Sequence, residues 1–462
     1  MQSNTLHSSA APATGSNIWL KRGVWAYFLL LIFEGALRKW FLPGLNQPLL
    51  VVRDPIALWL IYSVWRRGAM PKSFLLMAMT WIGVVSIFTS LFLGHGNLAV
   101  AIFGARILLI HFPMIFVIGR ILDRDDVIKM GRALLWITIP MAVLIGLQFY
   151  SPQNAFVNRG VGGDTAGAGF SGAMGYFRPP ATFSFTNGTH LFFGMAACFI
   201  FYFWMNPKGT SKIALYGATV ALVAAIPLSI SRSLTFFTAI SFMFLMVSVV
   251  RKPANLMKIV FAAVGFVLVV ALLTKIPFFQ TATEAFFSRF SAASDSEGGL
   301  EGTIGERFLG GMSKALMNSN QQPFFGYGIG MGTNVGSMVL TGGRKFLISE
   351  EEWGRVIGEL GPILGMAVIL IRLALCAQLF TRGYRRMVAG DLLPWMLLGY
   401  ALLAIPQGQW AQPTSLGFSV VIGGLMLAAM RGPLPEELRP AVQKPPGQRP
   451  PHLAGANLRT IK

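Results

Sequence analysis

The feature that most constrains this chain is the recurrence of apolar blocks of roughly 17 to 22 residues, each long enough to cross a bilayer as an α-helix. Windows of hydropathy place their apolar centres near residues 24–37, 49–65, 74–93, 98–118, 133–150, 191–204, 213–230, 234–250, 259–274, 361–380, 392–405 and 416–430, with the ends open by a few residues. Lipid offers the backbone no hydrogen-bond partner, so spans of this kind must satisfy their own peptide groups as helices. The expected fold is therefore all-α, a polytopic membrane helix bundle of about 12 transmembrane helices. Composition agrees: of 462 residues, 54% are hydrophobic and 12% charged, against roughly 25% charged in soluble domains. One continuous bundle over residues 23–430 is expected, not a string of soluble domains.

Net charge is +20, from 38 Lys and Arg against 18 Asp and Glu. In a soluble protein that excess points to nucleic acid, but here the basic residues collect at helix ends, and no nucleic-acid partner is expected. Lys21, Arg66, Arg124, Lys129, Lys208, Arg251, Arg382, Arg385, Arg386 and Arg431 fall in every second connection. Retention of basic short loops on the cytoplasmic side then sets both termini inside. Residues 1–22 form a polar cytoplasmic tail with no cleavable leader pattern, so the first span reads as an uncleaved anchor. The proline-rich basic stretch 431–462 cannot build a core and is expected to be a disordered cytoplasmic tail. Cys198 and Cys376 both lie in apolar blocks, which argues against a disulfide framework or a thiolate metal site.

Two connections on the outer side are long, residues 151–190 and 275–355, and the second, between spans 9 and 10, has helix-like stretches near 285–293 and 304–317. Long loops among short ones are where binding and catalysis concentrate. The outer side also carries arginines that retention does not explain: Arg38, Arg53, Arg159, Arg178, Arg232, Arg289, Arg307, Arg344 and Arg355. A guanidinium grips phosphate through a planar fork and keeps its charge when partly desolvated, so these residues fit a diphosphate headgroup at the outer leaflet. The alternative is pairing with Glu34, Asp54, Glu284, Glu306 or Glu351. Arg106, His111 and Arg372 lie within spans, where an ionisable group is costly and a functional suspect. Arg106 sits roughly 13 Å below the outer surface by helical rise, within reach of a headgroup.

Residues 178–190 combine Arg178, two prolines and a run of hydroxyls; they suit sugar hydroxyls, or equally a turn at Asn187 and Gly188 that caps the sixth span. Near the end of the large loop stand Glu350, Glu351 and Glu352. A carboxylate there suits a general base for an acceptor hydroxyl. The structural alternative is a capping box from Ser349 to Glu352 with a helical pair from Glu351 to Arg355. The glycine run 326–332 has no Lys-Ser/Thr after it and reads as a tight backbone turn rather than a nucleotide loop. The acidic stretch 295–306 fails calcium-loop spacing, and no metal or cofactor is expected.

Several of these elements, in order, resemble the O-antigen ligase and O-antigen polymerase superfamily of bacterial membrane glycosyltransferases. The resemblance rests on Ser231 and Arg232 at the outer end of a middle span, Arg307 in the large loop, Pro323 with Gly326 and Gly328, and the closing Glu359 and Gly361. Glu34 to Trp40, Arg53 with Asp54 and Pro55, and the Arg178 segment look like an exopolysaccharide-associated subgroup. The resemblance implies a metal-independent, inverting transfer of a glycan from undecaprenyl diphosphate to an acceptor hydroxyl at the periplasmic face of the inner membrane. It implies diphosphate binding by Arg232 and Arg307, with Arg106, Arg178 and Arg355 as further candidates. The family ligases carry a His about nine residues before the closing glutamate; here that position is Glu350, so Glu350 or Glu351 is the expected base. The other classes the sequence permits are a transporter of a lipid-linked or anionic substrate and a non-catalytic partner in polysaccharide export.

Overall fold

A computed structural model describes residues 14–250, 257, 275–297, 311–317, 319–343 and 347–431. It is about 75% helical, with strand confined, among the described residues, to one short hairpin. The helices are α1 (Thr14–Ala36), α2 (Arg53–Arg66), α3 (Phe74–Phe92), α4 (Leu98–Arg106), α5 (Phe112–Ile121), α6 (Arg124–Tyr150), α7 (Asn187–Met205), α8 (Lys212–Leu228) and α9 (Arg232–Val250). After them come α10 (Pro277–Glu297), α11 (Gly311–Met317), α12 (Asn334–Thr341), α13 (Glu352–Val388), α14 (Leu392–Gln407) and α15 (Pro413–Ala429). The hairpin, β1 (Phe170–Ala173) with β2 (Tyr176–Arg178), lies in the first long loop.

Among the described residues, 7 helical stretches are long and apolar enough to cross a membrane: Pro48–Arg66, Phe74–Phe92, Leu98–Ile121, Arg124–Tyr150, Asn187–Met205, Arg232–Val249 and Glu352–Val388. Three shorter apolar helices, α8, α14 and α15, pack with them. The result is an all-α bundle with the composition of a membrane-embedded protein. The expected span at 259–274, Arg307, Arg344 and the tails at 1–13 and 432–462 lie outside the described residues.

Without a hydrophobic drive between helices in lipid, close approach depends on small residues. α15 illustrates this: Gly424 receives Ile118, Gly423 receives Ile115, and Gly119 of α5 receives Leu427 in return. Packing also sorts the connections into two ends. At one, Lys21 pairs with Asp123 and Asp126 at 2.7 and 2.5 Å, Arg124 with Asp391 at 3.0 Å, and Arg132 donates to the Lys208 carbonyl at 3.0 Å. At the other, Lys39 donates to the Ala181 carbonyl at 2.6 Å, Arg53 to that of Pro413 at 2.6 Å, and Gln409 to that of Glu350 at 3.0 Å. Each group joins connections that alternate along the sequence, as an up-and-down bundle requires.

Two departures from regular helix matter for the site. Between α4 and α5 the chain widens into a π-helical turn, Ile107–His111. Within α13, Gly361 takes φ 77° and ψ 172°, so this element is two helices joined at a sharp bend. Gly365 then lies against the backbone of Ile357, where an unbroken helix would hold residues eight apart at about 12 Å. Pro362 disfavours helical backbone at the residue before it, and glycine alone accepts the positive φ without strain.

Candidate functional site

The bend in α13 creates a buried ionic group. Arg355 donates to Glu352 at 2.8 and 3.1 Å and to Glu359 at 2.5 Å. Arg372, on the far side of the bend, donates to Glu352 at 2.7 Å and to the carbonyls of Ile405 and Gly408 at 2.7 and 3.1 Å. Residues 352 and 372 would stand about 30 Å apart on a straight helix; the reversal at Gly361 brings their side chains into contact. The Trp410 amide donates to Glu352 at 3.0 Å, and the Arg372 guanidinium lies 4.0 Å from the Trp410 ring centroid. All four ionic side chains are buried. Two carboxylates face two guanidinia, so the cluster is close to neutral, which is how buried charge is tolerated at this depth.

The glycine run locks onto this bend. The amides of Tyr327 and Gly328 donate to the carbonyls of Gly358 and Glu359 at 2.8 and 3.0 Å, and the Gly332 amide donates to the Glu359 carboxylate at 2.8 Å. Gly326 has φ 71°, and any Cβ there would overlap the backbone of Glu359. Gly330 is pressed against Val100 and Gly104 of α4. The run is the tight turn that its sequence suggests, and its function in the fold is to join α4 to the α13 bend. Between them lies a cavity of about 10 Å³, lined by Gly104, Ile329, Arg355, Glu359, Arg372 and Trp410 among others. That is room for about one water molecule, with charged partners to hold it.

A second buried group adjoins the first. Asp54 accepts from Arg106 at 2.7 Å and lies 3.0 Å from His111 Nε2, while His111 Nδ1 lies 3.1 Å from the Tyr27 hydroxyl. A neutral imidazole with its proton on Nε2 satisfies both contacts. In a regular helix, side chains five apart diverge by about 140°; the π-helical turn rotates Arg106 and His111 onto the same carboxylate. Beside them Glu34 takes Arg53 at 3.2 Å and Arg38 at 3.6 Å. The turn after α14 links the groups: Pro413 accepts from Arg53, and the Trp410 ring lies 6.3 Å from that of Phe112.

The expected site residues thus have distinct positions. Arg355 and Glu359 meet directly. Arg106 spends its charge on Asp54. Glu350 and Glu351 are exposed beside the buried group, and Glu350 touches it only through the bond from Gln409 to its backbone carbonyl. The expected helical pair from Glu351 to Arg355 is replaced, because α13 begins at Glu352 and Arg355 turns inward to Glu352 and Glu359. The expected capping box is likewise absent: Ser349 Oγ accepts from the Glu351 amide at 3.1 Å, and Glu351 is itself the N-cap. Arg232 is half-buried at the start of α9, after a turn in which Ile230 has φ 45°. Arg178 ends β2 with its guanidinium 4.7 Å from the Phe170 ring centroid. The hydroxyls near it serve the fold, since Thr182 donates to Ile32 at 2.6 Å and Thr189 to Pro179 at 2.9 Å. Asn187 and Gly188 open α7 instead of forming a separate turn.

Glu352 was legible as a capping residue or as one of three candidate bases, not as a buried ion partner. Its partner Arg372 is the signal that finds it, since an arginine inside an apolar span needs a buried acid. Among the described residues no three His, Cys, Asp or Glu side chains are grouped to hold a metal. Fold and site together define a helical membrane protein with two adjoining buried ionic groups near one end of its bundle. No protein-family model matches the chain, and no curated protein matches it.

Proposed function

We propose that the chain is a glycan polymerase or ligase of polysaccharide assembly, transferring a glycan from undecaprenyl diphosphate to an acceptor hydroxyl at the periplasmic face of the bacterial inner membrane. The observation that carries this reading is the interlocking of Gly326 and Gly328 with Glu359 and Gly361. These are motif residues of the resemblance, distant in sequence, and they form one unit around buried Arg355. In this reading the bundle has twelve spans with both termini cytoplasmic, and the end bearing Trp410 faces the periplasm.

In the reaction, the acceptor oxygen forms a bond to the anomeric carbon as the bond from that carbon to the diphosphate breaks, with inversion. The acceptor proton passes to a carboxylate, and the diphosphate leaves on its lipid, its charge held by guanidinium groups. Arg355, buried at the α13 bend, and Arg232, Arg307, Arg178 and Arg106 supply candidates for that charge. Glu359 and Glu352, held by Arg355, are carboxylates that an arriving diphosphate would release by competing for the same guanidinium; exposed Glu350 and Glu351 are the alternative bases.

The test uses purified protein with undecaprenyl diphosphate-linked glycan and acceptor, for wild type, Arg232→Ala, Glu359→Gln and Glu350→Gln. Lengthened or transferred glycan with release of undecaprenyl diphosphate, lost in Arg232→Ala and in at least one glutamate variant, supports the proposal. Movement of the intact lipid-linked glycan across a bilayer without bond transfer replaces it with a transporter, for which the broken helix at Gly361 is a familiar element. Neither activity, with polymer lost in a deletion strain, leaves an assembly partner.

A further inference from the structure

The last turns of α13 and the end of α15 form a basic groove at the end of the bundle opposite Trp410. Arg382, Arg385 and Arg386 come from α13 and Arg431 from the residue after Met430, around a floor that includes Leu427 and Met430. Its volume is about 440 Å³. Arg386 donates across the groove to the Met430 carbonyl at 2.6 Å, and Arg431 donates to the Arg120 carbonyl at the end of α5, so two of the guanidinia are anchored. Arg382 and Arg385 stand exposed at its rim. Among the described residues no carboxylate lines it; the nearby acids Asp391, Asp123 and Asp126 are engaged by Arg124 and Lys21.

Topological retention explains why arginines are present at this end, but not why four converge on one recess. Like charges brought together repel, and the arrangement is relieved by an anion placed among them. A guanidinium fork suits phosphate, and an apolar floor beside membrane-crossing helices suits an acyl chain. Phe380 and Val388 on the same helix are 41% and 53% exposed, so α13 presents apolar surface as well as its basic last turns.

We infer that this groove is a binding site for an anionic phospholipid, its phosphate held by Arg382, Arg385, Arg386 and Arg431 and its chains lying against α13 and α15. The inference does not depend on the glycosyl-transfer reading. It commits to lipid and not to free phosphate because of the apolar floor and the neighbouring apolar helix surface.

The experiment uses the full chain purified in detergent and measures retention of phosphatidylglycerol, phosphatidylcholine and inorganic phosphate by native mass spectrometry. The variants are Arg382→Gln with Arg385→Gln, and Arg66→Gln with Arg67→Gln, an exposed pair of equal charge outside the groove. Each basic side chain near a membrane surface strengthens anionic-lipid binding about fivefold, so the groove variant is expected to hold phosphatidylglycerol about thirtyfold more weakly. The control pair is expected to match wild type. All four substituted side chains are exposed, and the elution profile of each variant checks its fold. Equal loss in both pairs, equal retention of phosphatidylcholine, or inorganic phosphate displacing the lipid at millimolar concentration would each overturn the inference.

Discussion

Replacing Arg372 by Met tests the central claim that the α13 bend is held by a charge-balanced ionic group. Arg372 is 1% exposed and binds Glu352 at 2.7 Å together with two backbone carbonyls. Its removal leaves Glu352 with Arg355 and the Trp410 amide, and leaves two carbonyls without their donor. Breaking a buried pair from one side costs about 3–5 kcal/mol; the surviving partners of Glu352 put this case near the lower figure. Glu352→Gln should cost a similar amount, because it strands Arg372. The double variant should cost clearly less than the sum, with a coupling of about 2 kcal/mol, since neither partner is then left charged and alone. The assay is unfolding by SDS from mixed micelles for wild type, both single variants and the double. Additivity within about 0.5 kcal/mol would refute the reasoning, because it would mean that the two side chains do not depend on each other.

Other outcomes follow from the same geometry. Gly361→Ala should abolish folding, since its Cβ would overlap the Phe324 carbonyl, whereas Gly342→Ala, with φ 70° and open space around it, should cost only about 1 kcal/mol; yields of monodisperse protein separate the two. Among the described residues buried Lys39 has no carboxylate partner, and burial lowers its ammonium to about 7. The folded chain therefore binds fewer protons than the unfolded chain between that pH and about 10.4, so stability should rise with pH across the window and Lys39→Met should flatten the rise. Lys129→Gln should change stability by less than about 1 kcal/mol, because its side chain is largely exposed and stands 3.8 Å from Asp126, which Lys21 also holds. Cysteines placed at Arg67 and at Gly343 should be labelled from opposite sides of the membrane by an impermeant maleimide, and labelling from one side would refute the alternating topology.

Much of the architecture was readable along the chain because a bilayer permits so few solutions. The windows at 74–93 and 98–118 coincide closely with α3 and with α4 to α5, and the window at 133–150 shares its end, but not its start at Arg124, with α6, since the length of an apolar run is a local property. Helix starts were less legible. α13 opens at Glu352, nine residues ahead of the apolar window at 361–380, because its first helix is charged on the very face that it buries. The turns at Ile107 to His111 were invisible, as an inserted residue in a helix leaves no mark on a hydropathy window.

The site divides in the same way. Arg106, His111 and Arg372 stood out as charges in costly places, Arg355 as one of the outer arginines, and Glu359 with Gly361 as a motif. Which acid each would meet did not, although Asp54 was among the acids named. Asp54 and Glu352 lie 52 and 20 residues from the arginines they hold, and no spacing rule connects residues so far apart. Exposed Glu350 and Glu351 drew attention because local spacing is all that a linear reading weighs.

What the sequence determined by itself was the helical membrane class, the sites of chain reversal and the presence of charges that demand a partner, because each follows from local hydropathy or from the cost of one buried group. Which acid meets which arginine, that a glycine run clamps the α13 bend, and that four arginines converge on one groove were decided by the tertiary structure. Those arrangements arise only when the bend at Gly361 and the π-helical turn before Phe112 rotate distant faces into contact.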